Sequence, residues 1–235
     1  EGVVESLRSI KEPEEVACLE RAAALADSAM RYIMAEIRPG MTEKEAAWEI
    51  EKYLRERNSE VLPFDVIVAS GPNAALPHAK PTERAISTSE PIIVDLGARM
   101  WGYSSDLTRT LCLGRQDDTF RRMYDLVLQA QLSAIEKVEA GMSGAQADSL
   151  ARTVLEQGGH KEAFGHGLGH GVGLAVHEEP RIGPDSGVII AENMVFTIEP
   201  GIYVSGWGGV RIEDTVLIEK GKARTLTRAP RTATL

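Results

Sequence analysis

The chain has 235 residues, of which 43% are hydrophobic and 26% charged, so it has enough apolar side chains for a globular core. Its formal net charge of −9 argues against nucleic acid and against an anionic membrane surface as partners. The sequence has no apolar run that could span a membrane and no signal peptide, so we expect a cytoplasmic protein. Cys18 and Cys112 lie far apart and neither has a CxxC partner, so we expect two free thiols, with a disulfide between them as the alternative. Because the chain begins with Glu1 rather than Met, we also expect a processed or trimmed piece of a longer protein.

The first half of the sequence predicts two helices followed by strands. Pro13 suits a first helical turn, and apolar residues at helical spacing continue to Ile37, after which Pro39-Gly40 ends the helix. Thr42 and Glu45 form a capping box for a second helix, which we expect to end near residue 57. The predicted strands cover residues 64–69, 92–96 and 106–113.

The second half predicts the same order of elements. A helix over residues 117–139 stops at Gly141-Met142-Ser143, and a second helix follows over residues 144–157. A glycine-rich stretch comes next. The predicted strands of this half cover residues 194–199, 210–218 and 224–227.

The two halves carry the same markers in the same order, at offsets between 99 and 107 residues. This repeat predicts one domain over residues 1–235, in which two similar halves face each other across a pseudo-twofold axis and their acidic strands meet in the middle. The alternative is a coincidence among common helix-turn-helix patterns. The paired markers are Gly40 with Gly141, His78 with His177, Asp95 with Glu199, and Asp106 with Glu213.

Residues 165–180, GHGLGHGVGLAVHEEP, carry three of the five histidines and a glycine at every second position up to Gly173. The spacing of four between His166 and His170 is that of a zincin helix. However, no Glu follows the first histidine, and two of the three residues between them are Gly, which forms helices poorly. We therefore predict extended backbone, with small residues that let a ligand approach the main chain. A glycine-rich loop with incidental histidines is the alternative.

Four acidic residues lie on mostly apolar predicted strands, where a carboxylate is unfavourable unless it is paired or binds metal. The sequence places no four basic residues to neutralise them, whereas two divalent cations would balance the charge. Oxygen ligands with one imidazole favour Mn²⁺ or Co²⁺, with Zn²⁺ or Fe²⁺ as alternatives. Two such ions can share a bridging water and make a hydrolytic hydroxide near neutral pH. The acids are Asp95, Asp106, Glu199 and Glu213.

With these residues the sequence resembles the metallopeptidases of the pita-bread fold, which include methionine aminopeptidase, aminopeptidase P and prolidase. The resemblance covers essentially the whole chain. It implies an α+β fold in which two pseudo-twofold-related helix-helix-strand halves surround a curved antiparallel sheet. It also implies the metal ligands: Asp95 on one ion, His170 and Glu199 on the other, and Asp106 and Glu213 bridging the two.

Within the family the sequence is similar to the Xaa-Pro branch. HGLGH contains His166, which methionine aminopeptidases usually lack, and Arg211 precedes the last acid in GVRIEDTV. This branch implies an exopeptidase that hydrolyses the bond before proline in short peptides, as a dipeptidase or an aminopeptidase, through a metal-bridging hydroxide. In it His177 would donate to the scissile carbonyl, His78 would contact substrate near the scissile amide, and Glu199 would move a proton to the leaving nitrogen.

Four residues are expected to bind the substrate or shape its pocket. His166 would line the pocket wall, and Tyr103 would reach the site from a hairpin turn. Arg181 would bind the free carboxylate of a dipeptide, with a surface salt bridge as the alternative. Arg211 would orient a bridging carboxylate or pair with an acid such as Asp214.

Three rival functions remain at this point. Methionine aminopeptidase is the nearest, a non-catalytic binding protein on the same fold is the second, and a creatinase-like hydrolase is the third. The intact ligand set argues against the last two. Xaa-Pro enzymes usually carry an N-terminal domain that ends near the segment LRSIK at residues 7–11, so this chain is either a catalytic fragment or a short member. Relatives are often dimers, which leaves a homodimer open.

Overall fold

The computed structural model describes residues 2–235, and its helices pack as two pairs. The α-helices are α1 (Val3–Ser9), α2 (Pro13–Glu36), α3 (Glu43–Glu56), α4 (Asp118–Lys137) and α5 (Gly144–Gln157). Short 3₁₀ helices cover Gly71–Ala75 and Lys161–Ala163. Helix α2 packs on α3, and α4 packs on α5, so each half of the chain contributes one pair.

Polar caps start the helices close to where the sequence predicts. Glu12 and Glu15 form a capping box at the start of α2, where Pro13 occupies the first turn. The Thr42 hydroxyl accepts a hydrogen bond from Glu45 N at 3.1 Å and caps α3 in the same way. Helix α5 has the bounds that the sequence predicts, because Ser143 caps it with the reciprocal pattern.

The strands form antiparallel sheets. Each half of the chain has one larger sheet, and two small hairpins complete the set. The strands are β1 (Ile67–Ser70), β2 (Ile92–Leu96), β3 (Arg99–Met100), β4 (Tyr103–Ser104), β5 (Leu107–Leu111), β6 (Gly169–Gly171), β7 (Glu178–Ile182), β8 (Val195–Ile198), β9 (Gly201–Val204), β10 (Gly208–Arg211), β11 (Asp214–Glu219) and β12 (Lys222–Thr225). The first half has the order β1-β2-β5, and the second has β12-β11-β8-β6-β7. Strand pairs β9-β10 and β3-β4 form the hairpins. This arrangement confirms the α+β class.

The predicted repeat is visible as matching hydrogen bonds in the two halves. Gly40 N donates to Ile86 O at 2.9 Å, and Gly141 N donates to Ile190 O at 2.8 Å. Both glycines have positive φ, which glycine adopts without steric cost, so each ends a long helix and starts the turn into the next. The antiparallel pair β2-β5 in the first half corresponds to β8-β11 in the second, and the acidic residues lie at their ends.

The structure corrects three of the strand predictions. The single strand expected over residues 210–218 is two strands, β10 and β11, and Glu213 lies in the break between them. The first predicted strand begins at Ile67 rather than at residue 64. Within residues 165–180 the backbone forms strands only over β6 and over the first residues of β7, and the main chain that approaches the glycines belongs to neighbouring strands. A Cβ on Gly169 would lie 1.9 Å from Thr197 O, and one on Gly171 would lie 2.1 Å from Glu179 O.

Each half has its own apolar core, and the acidic strand ends lie between the two. One core joins α2 and α3 to the first sheet, and the other joins α4 and α5 to the second. Cys18 and Cys112 are free thiols, as expected. Among residues 2–235, no helix is both long enough and apolar enough to cross a membrane.

Candidate metal centre

The five predicted metal ligands come together between the two halves. His170 Nε2 lies 3.3 Å from Glu199 Oε1 and 3.6 Å from Asp106 Oδ2. The ligand atoms form three groups whose members lie within 4.8 Å of one another: Asp95, Asp106 and Glu213; His170, Glu199 and Glu213; and Asp106, His170 and His177. Glu213 belongs to the first two groups, so the break between β10 and β11 places its carboxylate where two ions could share it.

Burial makes this cluster strongly unfavourable without positive charge. The exposed fractions of Asp95, Asp106 and Glu213 are 8%, 5% and 2%. Burial raises the pKa of the Asp106 and Glu213 carboxyls well above the ordinary value, and the neighbouring carboxylates raise both further. Burial also raises the pKa of Glu199. These acids therefore hold protons readily unless a cation replaces them.

Within the described residues 2–235, two buried oxygens of the cluster have no hydrogen-bond partner. They are Asp95 Oδ1 and Glu213 Oε1, and the other oxygen of each carboxylate is bonded, to Arg211 and to Thr108 respectively. A buried acceptor without a partner costs free energy comparable to a lost hydrogen bond, so such atoms need an explanation. Divalent cations would supply one, because oxygen atoms are the ligands that hard ions take. The residues present therefore fit a metal pair.

The ring of His170 is oriented as a metal ligand requires. Its Nδ1 lies 3.1 Å from Gly171 O, and because a carbonyl only accepts, the proton is on Nδ1 and the lone pair of Nε2 faces the acids. Burial lowers the pKa of His170, which keeps the imidazole neutral and able to bind metal. Burial lowers the pKa of His166 and His177 as well.

Two hydroxyl side chains that were not predicted as site residues hold the carboxylates in place. Thr108 Oγ1 donates to Glu213 Oε2 at 2.5 Å, and Thr197 Oγ1 donates to Glu199 Oε1 at 3.0 Å. Thr197 also accepts from the backbone N of His170 at 3.0 Å. Thr108 is two residues from Asp106, and Thr197 is two residues from Glu199. Alternate residues of a strand share a face, so this spacing of two in the sequence could have indicated both threonines.

A chain of hydrogen bonds connects the predicted pocket wall to the cluster of predicted metal ligands. His166 Nε2 lies 3.0 Å from Tyr203 Oη, Arg211 Nη1 donates to that oxygen at 2.9 Å, and Arg211 Nη2 donates to Asp95 Oδ2 at 2.7 Å. Arg211 therefore orients the carboxylate of Asp95, which is predicted to hold a single ion, rather than one of the two carboxylates predicted to bridge. Tyr203 was not predicted, because nothing in GIYV distinguishes it from a packing residue.

The structure corrects the alternative prediction that Arg211 pairs with Asp214. Asp214 pairs with Arg109 instead, at 2.8 Å between Arg109 Nη2 and Asp214 Oδ1, and also with Arg231. Arg109 Nη1 donates to the backbone O of Glu213 as well. A second buried arginine therefore holds the backbone of Glu213.

The predicted metal ligands lie in a cavity of about 1140 Å³, which is also lined by five of the other predicted site residues: His78, His166, His177, Arg181 and Arg211. Among residues 2–235 the Arg181 guanidinium forms no ion pair, which leaves it available to a ligand carboxylate. Phe64, Ile67 and Pro77 contribute apolar wall near His78. The cavity combines an apolar wall with convergent polar groups, as ligand pockets generally do.

The loop that carries His78 is tied to helix α3 by one buried carboxylate. Glu43 is fully buried and accepts hydrogen bonds from both ends of this loop. Its donors are the backbone N and hydroxyl of Ser70, the amide of Asn73, and the backbone N and hydroxyl of Thr82, at 2.6 to 3.1 Å. Glu43 was not predicted as a site residue, because in the sequence it is an ordinary acidic residue in the first turn of a helix.

The prediction that Tyr103 reaches the substrate is corrected by the structure. Its hydroxyl donates to Glu15 Oε1 on α2 at 2.7 Å, and its ring packs against a small core cluster beside Leu19. It is absent from the residues within 2–235 that line the cavity. Tyr103 therefore fastens the β3-β4 hairpin to α2.

Two similar halves that enclose a buried set of carboxylate and imidazole ligands define a metal-dependent protein of the α+β class. The comparison with known families is specific: residues 17–220 match the model of metallopeptidase family M24. The chain belongs to that family.

Individual relatives match nearly the whole chain. The Xaa-Pro dipeptidase of Pyrococcus furiosus is 42% identical over 231 residues, which is 98% of this chain and 66% of that protein. Among solved structures, an Xaa-Pro dipeptidase from Bacillus anthracis superposes with a TM-score of 0.98 at 40% identity, covering 100% of this chain and 66% of that one. An X-Pro aminopeptidase from Thermotoga maritima MSB8 has a TM-score of 0.96 at 38% identity, covering 99% and 66%. The chain spans about two thirds of the length of the curated relatives it matches.

Proposed function

We propose that this chain is the catalytic domain of a metallopeptidase that hydrolyses the peptide bond before proline in short peptides. The observation that carries the proposal is the convergence of Asp95, Asp106, His170, Glu199 and Glu213 in the cavity. A pair of divalent cations, for which we propose Mn²⁺ or Co²⁺, would supply Lewis-acid polarisation of the scissile carbonyl and activation of a water molecule. We also propose that residues 1–235 form one domain.

The roles of the metal-binding residues follow their grouping. Asp95 would hold one ion and His170 with Glu199 the other, while Asp106 and Glu213 would be shared. Glu199 is only half-buried and its Oε1 faces the Nε2 of His170. Its raised pKa suits a group that takes a proton from the attacking water and passes it to the leaving nitrogen. Proline makes that nitrogen a tertiary amide, which must be protonated before it departs.

The remaining cavity residues would orient the peptide. His177 would donate a hydrogen bond to the oxygen that gains charge at the scissile carbonyl, a role supported by the 4.2 Å between the centroids of its ring and that of His170. His78 lies across the cavity on the loop held by Glu43. His166 and Tyr203 would form the wall. Arg181 would bind the free carboxylate of a dipeptide.

Two observations bear on whether the protein is a dipeptidase or an aminopeptidase. The unpaired guanidinium of Arg181 favours a substrate that ends directly after proline. The similarity to the Thermotoga maritima X-Pro aminopeptidase favours a longer substrate. The roles proposed here hold for both, and the difference lies in what occupies the cavity beyond proline.

The test is hydrolysis of Ala-Pro, Ala-Pro-Ala and Met-Ala-Ser by protein that has been chelated and then restored with Mn²⁺. Cleavage of Ala-Pro alone identifies a dipeptidase, and cleavage of the tripeptide before proline identifies an aminopeptidase. Cleavage of Met-Ala-Ser alone would contradict the proposal and support methionine aminopeptidase. A protein that binds Mn²⁺ and cleaves none of the three would contradict the assignment of peptidase activity to this chain.

A further inference from the structure

A buried carboxylate lies inside the loop that carries His177. Glu178 follows that histidine, and its side chain turns back into the loop of residues 172–177, where Oε2 accepts a hydrogen bond from Ala175 N at 3.2 Å. A Cβ on Gly173 would lie 2.3 Å from Glu178 Oε1, so the carboxylate rests directly on the glycine backbone. The loop is therefore shaped around the carboxylate of Glu178.

Two cations from a distant part of the sequence hold this carboxylate. Lys11 Nζ lies 2.9 Å from Glu178 Oε1, and Arg8 Nη2 lies 2.5 Å from Oε2. The side chain of Lys11 is 1% exposed and that of Glu178 is 8% exposed, so the pair is withdrawn from water. The backbone of Lys11 is fixed as well, because its N donates to Asn193 O at 2.9 Å, beside the start of β8.

A buried ion pair is a poor source of stability, because desolvation of two charges offsets most of their attraction. What such a pair supplies is a defined geometry, since three hydrogen bonds meet at one carboxylate and each has a fixed direction. The geometry here is that of the six residues between His170, a predicted metal ligand, and His177. Ala175 N, inside the loop, and Lys11 and Arg8, outside it, all bind the Glu178 carboxylate. These contacts fix the backbone from Gly173 to Glu178.

We propose that Lys11 and Glu178 are positioning residues that fix the His177 loop, so that the imidazole of His177 stays beside the predicted metal ligands. The catalytic consequence rests on the proposed function of His177, whereas the rigidity of the loop does not. The contact also makes the segment at residues 8–11 part of the machinery that shapes the site, although no atom of Lys11 lines the cavity.

The test compares Lys11→Met with a surface control, Lys222→Met, whose ammonium pairs with Glu139 and is 60% exposed. Hydrogen–deuterium exchange of the peptide over residues 172–178 is measured by mass spectrometry in Mn²⁺-loaded and in chelated protein. We expect Lys11→Met to speed exchange there about tenfold or more, because loop amides open locally once their anchor is lost. Exchange over the His78 loop and in Lys222→Met should not change.

The kinetic arm measures kcat and KM on Ala-Pro. Displacement of a catalytic group by about 1 Å can cost about a hundredfold, so we expect kcat of Lys11→Met to fall about 10- to 100-fold with little change in KM or Mn²⁺ binding. In a His177→Ala background the same change should lower kcat no further, because the two residues act through one imidazole. If Lys11→Met does not fold, Arg8→Gln, whose side chain is 35% exposed, should show the same effects at smaller size.

Unchanged exchange over residues 172–178 in folded Lys11→Met would overturn the proposal, as would a full additional loss of kcat in the His177→Ala background. A wild-type protein that cleaves no Xaa-Pro peptide would refute the proposed function instead, and the exchange measurement would then decide the role of Lys11 in the loop on its own.

Discussion

Arg211 Nη2 lies 2.7 Å from Asp95 Oδ2, and the two residues come from opposite halves of the fold, on β10 and β2. Both are buried, and the same guanidinium also bonds Tyr203, Thr108 and the backbone O of Pro77. One side chain therefore joins the cluster of predicted metal ligands, the pocket wall and the loop that carries His78. It is the one cation among the described residues that pairs with any of the four clustered acids.

Replacing Arg211 should affect the metal-free protein most. Arg211→Met leaves the Asp95 carboxylate buried without its partner, and breaking a buried pair in this way costs about 3–5 kcal/mol. Bound Mn²⁺ would replace part of the lost positive charge, so the fall in Tm should be larger in chelator than with metal. We expect kcat/KM to fall about 10- to 100-fold, as for other groups that orient metal ligands. Arg224→Met, which removes a surface pair with Glu20, is the control. Equal falls in Tm with and without metal would contradict this account.

Glu43 should stabilise the His78 loop through its hydrogen bonds. Glu43→Gln places amide hydrogens against the Ser70 and Thr82 donors, so we expect the free energy of unfolding to fall by about 1–3 kcal/mol. Glu45→Gln is the matched control on the same helix, since glutamine also completes a capping box and the change should stay within about 0.5 kcal/mol. Urea denaturation of both variants measures the difference. Equal stability of the two would show that the Glu43 contacts contribute nothing specific.

The raised carboxyl pKa values predict how pH acts on the metal-free protein. In the unfolded chain these acids titrate near pH 4, whereas burial raises the pKa of Asp106 and Glu213 in the fold. Between those values the folded state binds more protons than the unfolded state, so stability contributed by these groups falls as pH rises. Bound Mn²⁺ competes with the same protons, so metal affinity should rise with pH.

The measurement is Tm in chelator from about pH 5 to about pH 8, for wild type and Asp106→Asn. The site histidines have lowered pKa values and act in the opposite sense, but they are common to both proteins. The Tm of the wild type should therefore fall more than that of the variant as pH rises. If Tm depended on pH in the same way in both proteins, Asp106 would contribute no pH-dependent destabilisation.

Arg181 should discriminate substrates by their C-terminal charge. If its guanidinium binds the free carboxylate, Arg181→Met should raise KM for Ala-Pro about tenfold or more, while the uncharged Ala-Pro amide should be cleaved as by wild type. Initial rates on the two substrates measure this difference. An equal loss on both would assign Arg181 a structural role instead.

The sequence predicts the ligand set because the chemistry repeats. Asp95 and Glu199, like Asp106 and Glu213, recur at a nearly constant offset on apolar strands, and that combination points to cations. The bounds of α5 follow from its capping box. These features are local or periodic, so pattern alone reveals them.

The contacts that hold the site could not be predicted in the same way. Tyr203, Glu43 and the pair of Lys11 with Glu178 act through residues far away in the sequence, and nothing in their own surroundings shows the partner. The prediction for Tyr103 was wrong because its position at a hairpin turn does not show that its hydroxyl binds Glu15 on α2.

The five clustered side chains should bind the ions on which hydrolysis depends. Calorimetric titration of Mn²⁺ into chelated protein, with Ala-Pro hydrolysis measured on the same samples, is the experiment that decides this. We predict two ions per chain for wild type, and loss of both metal binding and activity in His170→Ala and in Asp106→Ala. Full activity in either variant, or wild-type activity without bound metal, would contradict the account.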